Sequence, residues 1–371
     1  MVSSFDASPC PGSSHSSSRK ESAPAAIQPQ CHSPTPSQVD SDGLQIVRMS
    51  LQSQRISEQA IEIVMSSWRE STKKQYRTYL ARWHKFSTKR SCDPLQPTVT
   101  DVIEFLTELF HSGIGYSCLN TARSALSTVI VFPDNTPAGS HPLVVRFMKG
   151  VFERRPSLPK YTSTWDVNVV LEFLRRFEHV RKLSLKELSW KLTILLMLLS
   201  GQRIQTIHLL DIRYMTLTES SCSFSISKPV KQTRPGRHVH DLVFQAYLKD
   251  PRLCIVECLQ EYVTRTKPLR GEETQLLISF VKPHKAVSKD TIGRWVKSVL
   301  ANAGIDTNQF GAHSTRSAST SAAKKSGLDV TTIMKVAGWS NASTFALFYD
   351  KPIKQSSDAN FGQAVLSNVL Q

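Results

Sequence analysis

The chain has 371 residues, enough for two domains at roughly 100 to 200 residues each, and 40% hydrophobic residues supply a core for both. Lys and Arg number 46 against 30 Asp and Glu, giving a formal charge of +16 and a pI near 9.6. That balance suits a polyanion and argues against small-molecule metabolism. The N-terminal MVSSFDASPC lacks the charged flank and apolar run of a signal peptide, and the longest apolar run, 192–199, is too short to span a bilayer, so an intracellular, non-membrane protein is expected.

Residues 1–52 are dominated by Ser, Pro and Gln and carry three Lys/Arg against four Asp/Glu, so the positive excess lies wholly in the remainder. Such composition buries too little apolar surface to offset ordering entropy, and the stretch reads as a disordered tail. From 53 to 153 apolar residues recur at helical spacing, through Ile61, Val64 and Trp68, then Tyr76, Leu80 and Trp83, then Val102, Leu106 and Leu109, then Leu119, Ala122 and Leu126. Four or five helices follow. Ser71 and Thr100 look like helix starts, and Gly113 and Gly115 break the third helix. The Pro-rich basic stretch 154–164 (RRPSLPKYTST) reads as a linker.

A second domain is expected over 165–353. Residues 169–177 and 188–199 read as helices, the latter apolar nearly all round and therefore buried. Residues 222–226 and 238–244 alternate about the turn Arg234-Pro235-Gly236, which describes a β-hairpin. Helices return over 318–325, 330–336 and 344–349, and 354–371 forms a terminal helix or tail with Phe361, Val365 and Val369 on one stripe. The fold class is thus mainly α with a small antiparallel sheet, in two domains. Seven cysteines form no CxxC pair and are odd in number, which fits reduced thiols and no zinc knuckle.

Four segments of the second domain carry unusual polar residues. Arg203 follows a buried helix, where a permanent charge needs a partner such as phosphate or else caps the helix. Lys228, Lys231, Arg234 and Arg237 crowd the hairpin tip, either to meet phosphate or to protect a strand edge. His313 and Arg316 share a helix face at i, i+3, as a phosphate-binding pair or as two solvated side chains. Trp339 and Tyr349 could each be ordinary core residues.

Taken in order, Arg203, Lys231, His313-x-x-Arg316, Trp339 and Tyr349 resemble the tyrosine recombinase (phage integrase) family over residues 56–353, most strongly over 203–352. QTRPGR and AGWSNASTFALFYDKP further resemble the recombinases of DIRS-like and Ngaro-like retrotransposons, relatives of the cryptons. The resemblance implies a SAM-like helical DNA-clamping domain ahead of a catalytic domain. Arg203, His313, Arg316 and Trp339 would bind the scissile phosphate, Lys231 (or Lys228) would be the general acid, and Tyr349 the nucleophile. It implies double-stranded DNA as substrate, a homodimer or homotetramer on DNA, no cofactor, no metal, no small-molecule substrate, and a nuclear location. Lys73, Lys74, Arg77, Arg82, Lys282, Lys285 and Lys289, with Arg234 and Arg237, are candidate phosphate contacts. Two departures stand out: Thr206 occupies a position three after the first arginine that is often acidic in the family, and the Trp339–Tyr349 interval is one residue longer than in many phage enzymes. A DNA-binding protein without catalysis, reading 318–336 as a helix-turn-helix, and a type IB topoisomerase are the rival readings.

Overall fold

A computed structural model describes residues 43–157, 161–231, 233, 235–236 and 240–353. The chain divides into two compact units at residues 158–159, and each is taken by itself.

The first unit is helical: α1 (Gln45–Ser53), α2 (Glu58–Ser66), α3 (Glu70–Arg90), α4 (Val99–His111), α5 (Tyr116–Leu126) and α6 (Pro142–Arg154). Helix α1 corrects the expected tail, because its last ten residues are ordered. Leu44, Ile46 and Val47 are buried there, a short apolar cluster that the Ser/Pro-rich average conceals. The rest of that tail, 1–42, lies outside the described residues, as does 354–371. The core gathers around Trp83, which lies 5.3 Å edge-on to Phe105 and sends its indole N–H to the Pro94 carbonyl at 2.9 Å. Two helix starts shift. The cap of α4 is Thr98, whose hydroxyl and Asp101 carboxylate bond each other's backbone N–H, a reciprocity that needs the three-residue spacing Thr100 lacks. Helix α3 opens after Arg69, not Ser71.

The expected linker is shorter than 154–164. Arg155 donates to the carbonyls of Phe110 and Ile114, which ties it to the first unit, while Thr164 is fully buried in the second. Burial of the apolar neighbours overrides the local proline signal.

The second unit comprises α7 (Val167–Arg175), α8 (Leu185–Ser200), α9 (Ile204–His208), β1 (Met215–Leu217), β2 (Ser221–Phe224), β3 (Leu242–Gln245), α10 (Ile255–Thr266), α11 (Lys289–Asn302), α12 (Ser314–Lys325), α13 (Val330–Ala337) and α14 (Ala342–Phe348). Helix α8 begins with the Ser184/Glu187 capping box, runs through the core against α10, α11 and α12, and stops at Gly201, whose φ of +57° the missing side chain permits. Its one charged core residue, Lys191, is fully buried with no hydrogen-bond partner on Nζ, and burial lowers its pKa.

The sheet has three antiparallel strands in the order β1-β2-β3, with Met215 opposite Phe224 and Phe224 opposite Leu242. The expected two-stranded hairpin is therefore incomplete and its arms too long: β1 is three residues, too short to show alternation, and pairing stops at Phe224 and resumes at Leu242. A small satellite cluster of Ile333, Ala337, Trp339 and Phe345 sits apart from the main core and seats α13 and α14. Among the described cysteines, Cys92, Cys222, Cys254 and Cys258 are free thiols. No helix among the described residues is long and apolar enough to cross a membrane.

Candidate active site

Helix α12 carries the centre of the site. Its N-terminal half is packed against α8, which leaves Arg316 with no exposed surface. An arginine so placed must find acceptors, and it finds main-chain ones: Nη1 donates to the Gly201 carbonyl at 2.5 Å and Nη2 to the Ala337 carbonyl at 2.7 Å. The guanidinium lies 4.1 Å over the Trp339 ring and 5.3 Å from the Tyr349 ring centre. Burial, then the nearby Arg203, hold its pKa below the ordinary arginine value, with Tyr349 acting the other way.

The side chains singled out in sequence gather round this arginine. Trp339 lies 4.5 Å from Tyr349, centre to centre, with the two rings tilted by 41°. The Tyr349 hydroxyl stands 3.4 Å from His313 Nε2. Burial lowers the His313 pKa, reinforced by the positive charges of Arg316, Arg203 and Lys231 in that order. An imidazole whose pKa is lowered by partial desolvation and three nearby cations favours its neutral form, which is able to accept a proton. Both loop lysines are exposed, but they act on different histidines: Lys231 on His313, Lys228 on His208 together with Lys289. Arg234 and Arg237 lie outside the described residues.

Three buried N–H donors of this group have no acceptor among the described residues: Arg203 Nη1, Arg316 Nε and Trp339 Nε1. Buried donors are seldom left unpaired, since each costs its desolvation penalty of about 1–3 kcal/mol. Orphaned donors on residues grouped with a tyrosine hydroxyl are what a multiply oxygenated anion would satisfy. Among the described residues no group of three or more His, Cys, Asp and Glu is arranged to hold a metal ion.

The two departures from the family pattern have structural answers. Thr206 is buried, and its hydroxyl lies 3.3 Å from the Gln202 side-chain oxygen, while Gln202 Nε2 donates to the Val336 carbonyl at 2.6 Å. The α9 start is thereby joined to the end of α13, and Ala337, the next residue, supplies an acceptor to Arg316. Backbone carbonyls orient this arginine where a carboxylate is common. As for the longer interval, α14 is capped by Asn341 and ends so that Tyr349 turns inward, whereas Phe348 is 62% exposed.

Sequence reasoning missed several contacts. Ser317 and Ser321 both donate to the Tyr349 carbonyl, at 3.1 and 2.8 Å, and Lys324 pairs with Asp350. Trp165 donates its indole N–H to the Ser314 hydroxyl at 2.9 Å, beside His313. A serine on a polar-looking helix carries no signal that distinguishes it from a solvated one.

The candidate phosphate contacts are dispersed. On α3, Lys73 (paired with Glu70 at 3.0 Å), Lys74 and Arg77 occupy one side, while Arg82, nine residues beyond Lys73, falls about half a turn round and lies near Tyr79. Lys282 is exposed and Lys285 pairs with Glu273 at 3.6 Å. Lys289 lines an open cleft of about 440 Å³ together with Gln205, Arg294 and Lys297, the last two unremarked in sequence.

A family model for the phage integrase family matches residues 166–354, about half of the chain. The chain belongs to the phage integrase family. It shares the fold of the XerH site-specific recombinase in a post-cleavage complex with palindromic difH substrate, at 15% identity over 91% of this chain and 92% of that one, with a TM-score of 0.54. The Tn1549 transposon integrase in complex with transposon right end DNA is similar at 13% identity over 89% and 100%, with a TM-score of 0.52. At these identities the likeness concerns fold. No curated protein matches this integrase by sequence.

Proposed function

We propose that this integrase cuts and rejoins double-stranded DNA by metal-independent transesterification, with Tyr349 forming a 3′-phosphotyrosyl intermediate. The observation that carries the reading is the trio of acceptor-less buried donors, Arg203 Nη1, Arg316 Nε and Trp339 Nε1, around the one tyrosine whose hydroxyl meets His313. A phosphodiester supplies the missing acceptors.

A phenol of ordinary pKa near 10 is a poor nucleophile at neutral pH. His313 Nε2 accepts its proton as the oxygen attacks phosphorus. Arg203 and Arg316 balance the charge growing on the non-bridging oxygens, and Trp339 adds one hydrogen bond. Lys231 protonates the departing 5′-oxygen as general acid. The Tyr349–phosphorus bond forms, the phosphorus–O5′ bond breaks, and the phosphodiester energy is kept for rejoining. Basic residues of each unit, Lys74 and Arg77 in the first and Lys282 and Lys289 in the second, contact DNA phosphates and make binding salt-dependent. The chain works as a homodimer or homotetramer on DNA, derives from a DIRS-like or Ngaro-like mobile element, and acts in the nucleus, where its substrate is.

Covalent trapping tests this. The protein is incubated with a nicked duplex bearing a candidate element terminus and excess chelator, beside Tyr349→Phe, and resolved on a denaturing gel. A chelator-resistant adduct absent from the variant is expected. An adduct that persists in Tyr349→Phe overturns the assignment of the nucleophile, and DNA binding without any adduct favours a binding protein that no longer cuts. Strand exchange between two duplexes, beyond relaxation of one, separates recombinase from topoisomerase.

A further inference from the structure

Helix α14 has seven residues, far fewer than the 12–15 or so at which isolated helices become even marginally stable. Only Phe345 of its side chains is buried, and Leu347 and Phe348 lie 72% and 62% exposed. Apolar packing therefore does little to fix the angle at which the chain leaves this helix, yet Tyr349 is its next residue. The carbonyls at a helix C-terminus lack partners within the helix. That of Tyr349 receives two: the hydroxyls of Ser317 and Ser321, one turn apart on α12. Ser321 also accepts from the Lys351 N–H at 3.1 Å, so a single hydroxyl bridges the residues on either side of Asp350.

We propose that Ser317 and Ser321 are positioning residues for the nucleophile. They clamp Tyr349 by its main chain, so that the phenol swings about a fixed point while the carbonyl stays put. The proposal rests on the tyrosine recombinase reading. Ser317 and Ser321 occupy the row of α12 adjoining that of Arg316, whose Nε is a buried donor with no acceptor among the described residues. One helix thus carries both the group that would hold the phosphate and the groups that hold the attacking residue, and its rigid geometry sets the separation between them. Orientation of this kind acts on the bond-forming step and leaves ground-state DNA affinity alone.

The test compares wild type, Tyr349→Phe, Ser317→Ala/Ser321→Ala, Ser321→Ala and Ser321→Thr on a nicked duplex under single-turnover, saturating conditions. DNA affinity is measured in parallel. A second substrate carries sulfur at the 5′-bridging position, whose thiolate leaves without a proton donor. Loss of three hydrogen bonds, two of them to the Tyr349 carbonyl, is expected to slow adduct formation by roughly 10- to 100-fold in the double variant. DNA affinity should stay unchanged, the sulfur substrate should give no rescue, and Ser321→Thr, which keeps the hydroxyl, should remain near the wild-type rate. A double-variant rate within twofold of wild type overturns the proposal, as does rescue by sulfur or an equal fall in affinity. If the double variant does not fold, the single pair decides: Ala slow with Thr fast supports the clamp, and equal rates overturn it. No wild-type adduct on any substrate means that the recombinase reading itself fails and the clamp with it. A wild-type adduct lost in Tyr349→Phe but undiminished in the serine variants means that the clamp alone fails.

Discussion

Arg316→Met separates what the guanidinium does for the fold from what it does for the chemistry. Among the described residues Arg316 has no carboxylate partner; it is held by two carbonyls and two aromatic rings. Two charge-assisted hydrogen bonds at about 1.5–3 kcal/mol each, with about 2 kcal/mol from a desolvated cation–π contact, amount to roughly 5–8 kcal/mol that the substitution forfeits. Against this, removing a fully buried charge relieves a desolvation penalty of several kcal/mol, and methionine refills much of the volume with a thioether that packs well on Trp339. The two sides nearly cancel, so urea unfolding should place the variant within about 2 kcal/mol of wild type, while one lost oxyanion donor slows adduct formation about 100- to 1,000-fold. Inorganic phosphate sharpens the comparison. At ten times its dissociation constant it should stabilise wild type by about 1.4 kcal/mol and the variant by much less. A variant destabilised by more than about 4 kcal/mol, or one with equal phosphate stabilisation, would refute the reasoning and make Arg316 a strut of the core.

Tyr349→Phe should keep the melting temperature and DNA affinity of wild type and lose the covalent adduct; a retained adduct places the nucleophile elsewhere. Lys231→Ala should slow cleavage of ordinary DNA by at least about 100-fold and recover on the 5′-sulfur substrate, with Lys228→Ala near wild type on both; the opposite ranking makes Lys228 the acid. Because the His313 pKa is depressed below its ordinary 6.5, its neutral form stabilises the fold fully above that pH, and the contribution is lost as pH falls from about 6.5 through the folded-state value. Urea midpoints from pH 7 to pH 5 should therefore fall less steeply in His313→Gln than in wild type, and parallel slopes would contradict the shift.

The chemical constellation was legible in sequence because its members are rare residue types in a fixed order, and the helices of the first unit because their apolar stripes are long. What escaped was whatever lacks a residue-type signature. The acceptors of Arg316 are the backbone of Gly201 and Ala337, and any residue carries a carbonyl. Ser317 and Ser321 carried no signal because a helix of small polar residues has almost no amphipathic contrast, yet both are buried. Helix α1 hid at the border of a polar tract, and β1 was too brief for a period of two to register. Lys191 shows the reverse: its neighbours were read as buried, and burial drew the charged residue in with them.

Helix α12 contributes a single fully buried apolar side chain, Ala318, to the main core, while Ser319 donates to the Leu198 carbonyl and Thr320 to that of Arg316. Behind it, α13 and α14 rest on the four-residue satellite cluster. Directional bonds fix geometry tightly but contribute little net free energy, whereas the α8-centred core supplies most of the unit's cohesion. Tyr349 consequently belongs to a segment held by a small cluster and a few directional bonds, with a lower opening cost than the α8-centred core. Amide protons of α13 and α14 then exchange by local opening and those of α8 only by global unfolding, so mutations that weaken the satellite cluster erode activity well before they register in a melting curve.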